Sequence, residues 1–313
     1  MEEIVFSHYS VMKEEAISAL RIVPDGVYVD CTCGGGGHSL GIVGKLGEKG
    51  RLICIDRDDD ALAACRTRLE AFGDRVTVIK SNFEAVGAVL DACGIPSIDG
   101  ALIDLGVSSY QLDTAERGFS YMKDAPLDMR MDRTQTLTAK DVVNGYSENE
   151  IKRILYTYGE ERFAPQIASA IVRARAEKEI ETTGELVALI KNALPVKALT
   201  GGHHPAKKTF QAIRIEVNSE LSVIEPTLRT IVSRLKKGGR LAVITFHSLE
   251  DRITKTTFAS LSSGCTCPKE FPVCICGKKP LVRLIDKGIA PQEKELAENP
   301  RSRSARLRSV EKI

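Results

Sequence analysis

Residues 27–39 read Val27-Tyr28-Val29-Asp30-Cys31-Thr32-Cys33-Gly34-Gly35-Gly36-Gly37-His38-Ser39: a short apolar run that closes on an acid, then four glycines in a row. The apolar run has the residue types of a buried strand, and the glycines allow a tight turn whose backbone amides can approach a ligand closely. The same grammar recurs on the C-terminal side. Residues 38–46 fit a helix, and residues 51–55 a second strand ending on Asp56. Residues 58–72 place Leu62, Cys65, Leu69 and Phe72 at helical spacing, residues 76–80 form a third strand and residues 101–104 a fourth. Apolar runs alternating with amphipathic stretches predict βαβ units, hence an α/β fold of Rossmann type with a mostly parallel, doubly wound sheet.

The alternation stops between residues 113 and 208. Ser147 with Glu150, and Thr182 with Glu185, match the capping box, in which two side chains satisfy orphan amides at a helix start. An inserted helical domain over 113–208 is therefore expected, leaving 1–112 and 209–313 as the sheet domain. The sheet pattern resumes with an amphipathic helix over 219–235. Lys236-Lys237-Gly238-Gly239 reads as its stop, 240–246 as a fifth strand and 249–258 as a helix, with further strands at 281–285 and 304–310.

With 313 residues and 43% hydrophobic content, the chain can bury a large core. Its formal net charge of +2 gives no global field that announces a nucleic acid, so local clusters carry that question. The first twenty residues include His8, Lys13, Glu14 and Glu15 and lack the apolar core of a signal peptide, and no later run is long enough to span a bilayer. A cytoplasmic location and no membrane partner are expected. Cys31, Cys33, Cys54, Cys65 and Cys93 fall within apparent core elements, where reduced cysteine acts as a small hydrophobe.

In an open parallel sheet, ligands sit beyond the carboxyl ends of the strands. Asp30, Asp56 and Asp104 occupy those ends. A carboxylate at Asp56 suits the two hydroxyls of a ribose, or the N-cap of the helix that follows. A nicotinamide dinucleotide is disfavoured, because Ser39 stands where G-x-G-x-x-G needs its last glycine.

Six stretches, taken in order, resemble one family. They are Val29-Asp30-Cys31-Thr32-x-Gly34-x-x-Gly37-His38-Ser39; Asp99-Gly100 through Asp104-Leu105-Gly106-Val107-Ser108-Ser109-x-Gln111-Leu112-Asp113; and Arg117-Gly118-Phe119-Ser120 with Pro126-Leu127-Asp128-Met129-Arg130-Met131-Asp132. The others run from His204-Pro205 to Val217-Asn218, from Phe246-His247-Ser248-Leu249-Glu250 to Arg252, and from Asn299-Pro300 to Ser304. Together they resemble the bacterial small-subunit (16S) ribosomal RNA cytosine-N4 methyltransferase family (RsmH, formerly MraW), and the resemblance covers nearly the whole chain.

The resemblance implies methyl transfer from S-adenosyl-L-methionine to the N4 amine of a cytidine in the decoding region of 16S ribosomal RNA, within the small ribosomal subunit. It implies a cofactor held by Gly36, Gly37, His38, Asp56, Phe83, Asp104 and Gln111; the sequence leaves monomer and homodimer both open. Residues 1–112 and 209–313 would bind the cofactor and 113–208 would recognise the RNA. Phe83 can stack on adenine or fill core. His38 can touch the cofactor or cap a helix.

Cytosine's exocyclic amine is a poor nucleophile, because its lone pair is delocalised into the ring. An acceptor for its N–H would localise that pair and help remove the proton, and Asp104 is the candidate catalytic residue. Many amino methyltransferases follow this acid with two prolines and an aromatic. Here Leu105-Gly106-Val107-Ser108-Ser109 follow instead, so Tyr110 or Phe246 would have to stack the base, and Asp104 stays open between cofactor contact and catalysis. Methylation at carbon 5 needs a nucleophilic cysteine, commonly in Pro-Cys. The chain has Cys267-Pro268 and no Pro-Cys.

Asp128, Arg130 and Asp132 are either a wall of the base pocket or an ion-paired brace. His247 and Ser248 lie at the cleft mouth or cap a helix. Lys207-Lys208, Lys236-Lys237, Lys278-Lys279 with Arg283, and Arg301, Arg303, Arg306 and Arg308 are the local basic clusters an RNA would use. Cys265, Cys267, Cys274 and Cys276 allow a zinc clip, free thiols or a reversible disulfide, so a metal is left open. A methyltransferase of small molecules or proteins, a non-enzymatic ribosome-assembly factor and a dehydrogenase are the rival readings.

Overall fold

The computed structural model describes residues 10–199, 204–264, 267, 271, 273, 276, 277 and 279–313. The chain forms two compact units, Met1–Gly106 with Leu221–Ile313, and Val107–Glu220. Among the described residues, no helix is long and apolar enough to cross a membrane.

The first unit opens with α1 (Lys13–Leu20), which buries Ala16, Ile17 and Leu20. β1 (Val27–Asp30) leads through the glycines into α2 (Gly37–Val43) and then β2 (Arg51–Asp56). The Asp58 side chain caps α3 (Asp59–Leu69) by accepting the Asp60 amide at 3.1 Å. The helix expected to reach residue 72 ends at Leu69, and tight turns carry the chain past Gly73 (φ 53°) to Arg75. β3 (Val76–Lys80), α4 (Val86–Ala92) and β4 (Ile98–Asp104) complete this half.

The second unit holds α5 (Ser109–Asp113), α6 (Ala139–Gly145), α7 (Glu148–Gly159), α8 (Ala164–Glu177), α9 (Thr183–Ala193), α10 (Val196–Leu199) and α11 (Lys207–Asn218). Capping boxes begin four of them, at Ser108, Thr138, Ser147 and Thr182. The expected limits of 113 and 208 are too narrow. α11 belongs inside this unit, because Phe210, Ala212, Ile213 and Val217 share its core with Ile154, Ile167 and Met129. Asn218 then clamps the loop before α6: its Nδ2 donates to the Met129 carbonyl at 2.7 Å, and its Oδ1 accepts the Met131 amide at 2.8 Å.

The first unit resumes with α12 (Ile224–Arg234), β5 (Leu235–Thr245), α13 (Ser248–Ser262), β6 (Val282–Leu284), α14 (Glu293–Glu298) and β7 (Arg306–Lys312). The helix expected from residue 219 starts at Ile224, since Ser219 is the left-handed C-cap of α11. Nor are Lys236 to Gly239 a helix stop. α12 ends at Arg234, and these residues enter β5 as an irregularity: the β4–β5 register shifts between Ile98 and Gly100, and Gly238 takes φ 81°.

The sheet has the order β3-β2-β1-β4-β5-β7-β6. β1 to β5 pair in parallel, and β7 is antiparallel to both of its neighbours. Strands covered on both sides need apolar residues on both faces, which explains their near-continuous apolar runs. Val29, Ile53, Ala101, Ile103 and Val243 pack on one side with Leu90 of α4 and Leu228 of α12. Tyr28, Leu52, Cys54, Leu102 and Ile244 pack on the other with Leu20 of α1 and Ile42 of α2. The strand order reverses between β1 and β4. Their carboxyl ends diverge into the crevice where such sheets bind ligands.

Candidate active site

At that crevice β1 ends on Asp30, fully buried, whose Oδ2 accepts the Ser39 hydroxyl at 2.6 Å and whose Oδ1 accepts the Thr32 amide at 3.3 Å. Burial pushes its carboxyl up to about 7 against the pull of Ser39. Thr32 Oγ1 in turn accepts the Asp104 amide at 2.6 Å, tying the loop after β1 to the end of β4.

The glycine loop is held from β2. Asp56 Oδ2 accepts the Gly34 amide at 2.8 Å and Oδ1 accepts the Asp58 amide at 3.0 Å. Asp56 is thus not the N-cap of α3, a role Asp58 fills. Burial raises the Asp56 carboxyl, and those two amides oppose the rise. Gly36, at φ 79°, starts α2 from the left-handed region that only glycine enters freely, and a Cβ at Gly37 would meet Ser10 Oγ at 1.9 Å. Gly37 and Glu295 also line a cavity of about 440 Å³ with Ser10, Lys13 and Arg68.

His38 is buried. Its Nε2 lies 3.0 Å from the Val11 carbonyl, which can only accept, so Nε2 carries the hydrogen. Nδ1 then faces Asp104 Oδ2 at 3.7 Å. His38 does not cap α2, whose N-cap is Gly36; its ring joins the chain before α1 to the acid at the end of β4.

Asp104 Oδ1 is buried and has no hydrogen-bond partner. Burial first, then Asp30, Glu250 and Glu295, hold this carboxyl well above its usual range. Phe83 follows β3, is 9% exposed and packs with Val86 and Leu90. Gln111 belongs to the second unit, where its side-chain oxygen accepts the Ser108 amide at 3.0 Å and its own amide donates to Ser108 Oγ at 3.2 Å.

Residue-by-residue reading missed the acids behind Asp104. Glu250 is 1% exposed, and its Oε2 accepts the amides of Phe246 at 2.7 Å and His247 at 3.2 Å. The capping-box spacing His247-x-x-Glu250 was the available signal, masked by histidine standing at the N-cap.

A model of the MraW methylase family matches residues 5–313. The chain belongs to this family. It is 55% identical over 309 residues to "Ribosomal RNA small subunit methyltransferase H 2" of Agathobacter rectalis, covering 98% of each chain. It is also 55% identical over 316 residues to "Ribosomal RNA small subunit methyltransferase H" of a Paenibacillus species, covering 99% of this chain and 100% of that one. A Clostridium botulinum protein of the same name is 54% identical over 309 residues, at 98% and 99% coverage.

Other conspicuous charges of this methylase are committed to its framework. Arg130 Nε and Nη2 grip Asp128 at 2.9 and 2.7 Å, and Arg117, 1% exposed, donates to the carbonyls of Arg130 and Met131. Burial pulls the Asp128 carboxyl up, but the bonds to Arg130 outweigh it and hold it low. Asp132 Oδ1 closes a turn onto the Thr134 amide. This loop is an ion-paired brace. Among the basic clusters, Arg308 is bidentate on Asp251, Arg283 pairs with Glu311 and Lys236 with Asp99, whereas Lys207, Lys237, Arg301, Arg303 and Arg306 are exposed. Cys265 and Cys274 lie outside the described residues, and among the described residues no group of side chains has the arrangement of a metal site.

Proposed function

We propose that this methylase carries the methyl group of S-adenosyl-L-methionine to the exocyclic N4 of a cytidine in the decoding region of 16S ribosomal RNA, within the small subunit. The observation that carries this reading is the cluster of buried acids at the strand switch. Asp30 and Glu250 lie buried close enough to raise the Asp104 carboxyl, and Asp104 Oδ1 has no hydrogen-bond partner. A nucleoside bearing a sulfonium and an ammonium group suits that cluster and supplies, when bound, an activated methyl group. Asp56 and the amides around Gly34 to Gly37 would take its ribose and main-chain contacts, and Asp104 its cationic end and the incoming amine.

Nitrogen is the favoured nucleophile, because among the described residues the buried cysteines at and behind the crevice are not competent for attack on the ring. Burial and Asp30 raise the Cys31 thiol far above its usual range, and Cys33 is likewise raised by its bonds to Cys54 and Cys65. Cys65 is lowered to about 4 by its bonds to Cys33 and Cys54 but has no exposed surface. The second unit and the exposed arginines Arg301, Arg303 and Arg306 would hold the RNA, whose synthesis places the work in the cytoplasm.

The test is direct. Purified protein, labelled cofactor and unmodified small subunits should yield N4-methylcytidine on nuclease digestion and mass spectrometry. Label confined to carbon 5, or transfer only to a small acceptor, would refute the assignment.

A further inference from the structure

We propose that His247 is the group that takes the proton from the cytidine amine, with Glu250 as its positioning residue; this rests on the N4 reading above. Among the described residues, five buried side-chain polar atoms have no hydrogen-bond partner, and three of them are Asp104 Oδ1 and the two ring nitrogens of His247. Both residues stand at the carboxyl ends of neighbouring parallel strands. Asp104 pairs with Ile244 in the β4–β5 ladder, and His247 follows three residues later. The segments beyond these strands touch, since a Cβ at Gly106 would lie 3.6 Å from Phe246 Cδ2 and 3.9 Å from Glu250 Oε1. A native polar atom left bare in a buried place calls for a partner that is absent from the chain itself.

An exocyclic amine has two hydrogens, and two bare acceptors match them: Asp104 Oδ1 for one and a His247 nitrogen for the other. His247 also has what a base needs behind it. Glu250 Oε1 lies 3.1 Å from His247 Nε2, out of line for a hydrogen bond, while Oε2 is fixed by two backbone amides. Turning the ring away from its capping position over the Glu250 amide gives Glu250 the Nε2 hydrogen and leaves Nδ1 a lone pair for the amine, the base-and-orienter arrangement of general-base sites. The step balances. The N4 lone pair forms the carbon–nitrogen bond as the sulfonium–methyl bond breaks, whose electron pair stays on sulfur. One N4 proton moves to His247, and the imidazolium pairs with the buried Glu250 carboxylate until solvent takes the proton.

Among the described residues, the charged and titratable groups around this site include Asp30 at the end of β1, His38 on α2, Asp104 on β4, Glu250 on α13 and Glu295 on α14. A pH profile alone mixes their ionisations, so chemical rescue is the sharper test. His247 is the N-cap of α13, where asparagine and glycine are both well tolerated. Both His247→Asn and His247→Gly should bind adenosylmethionine within about threefold of the parent by calorimetry and lose roughly 10²- to 10⁴-fold in kcat on small subunits. Added imidazoles should restore the glycine variant at least about tenfold, in order of their basicity, and should not restore the asparagine variant. Glu250→Gln should lower kcat with little change in KM for RNA. An asparagine variant within about threefold of parental kcat would overturn the proposal, as would a glycine variant that imidazoles do not revive. Parental protein that makes no N4-methylcytidine would instead sink the underlying reading.

Discussion

The Asp56 carboxylate accepts the Gly34 amide at 2.8 Å, so the acid that ends β2 fixes the glycine loop that follows β1. One residue therefore serves two purposes. It sets the shape of the loop, and in the proposed reading each oxygen would keep a lone pair for a ribose hydroxyl.

Asp56→Ala should accordingly weaken adenosylmethionine binding by about 1.5 to 3 kcal/mol, as charged acceptors do when removed. Asp58→Ala is the matched control. It removes the cap of α3 but keeps the Asp56 carboxylate, so it costs about 1 kcal/mol of stability and changes affinity far less than Asp56→Ala does. Calorimetry that finds the parental affinity in Asp56→Ala excludes the ribose assignment.

Asp30 makes the stability of the protein depend on pH in a definite direction. Its carboxyl is raised to about 7 when folded, from an ordinary 3.8. Between those values the folded protein binds the extra proton, so stability present at low pH is lost as pH rises through about 7. Asp30→Asn removes this cost while an amide can still meet Ser39 and Thr32. At pH 8 the variant should be more stable than the parent by on the order of 2 to 4 kcal/mol, and the gain should vanish near pH 4 in urea titrations. An equal gain at both pH values would show that charge is not its source.

Asp104 predicts a proton linkage to the cofactor. Burial holds its carboxyl above the usual range, and a cation placed beside it favours the ionised form, so binding lowers it. Binding of adenosylmethionine should therefore release protons and tighten as pH rises, whereas the uncharged-sulfur product should release fewer. Titrations in buffers of different ionisation enthalpy measure this, and Asp104→Asn should abolish most of the release. Equal proton release in the variant would assign the linkage to another acid.

Much of the first unit was legible because strand and helix periods are local. Residues 76–80 and 51–56 form strands as read, and the acids at strand ends stand where the βαβ pattern puts them. What stayed hidden depends on distant partners. Nothing near Gly238 in sequence says that it bulges against β4 instead of ending α12. Arg308 resembled an RNA contact until Asp251, on α13, was seen to hold it. α11 seemed to belong with the sheet because its membership is decided by contacts to residues far earlier in the chain, Met129 and Met131 among them.

Asn218 gives that last contact an energetic test within the second unit. It is 3% exposed and bonds Met129, Met131 and Arg214. Asn218→Leu fills the space but strands buried backbone groups, so unfolding should cost about 2 to 4 kcal/mol less. A change under about 0.5 kcal/mol would mean that the clamp is not needed.

The most direct test of the whole account is the nucleoside made by the protein. Small subunits from cells lacking this gene, treated with the purified methylase and adenosylmethionine, should gain N4-methylcytidine at one position of 16S RNA by mass spectrometry. Asp104→Asn should reduce the gain far more than it reduces RNA affinity. Subunits that gain no N4-methylcytidine, or gain the methyl group on another atom, would contradict it.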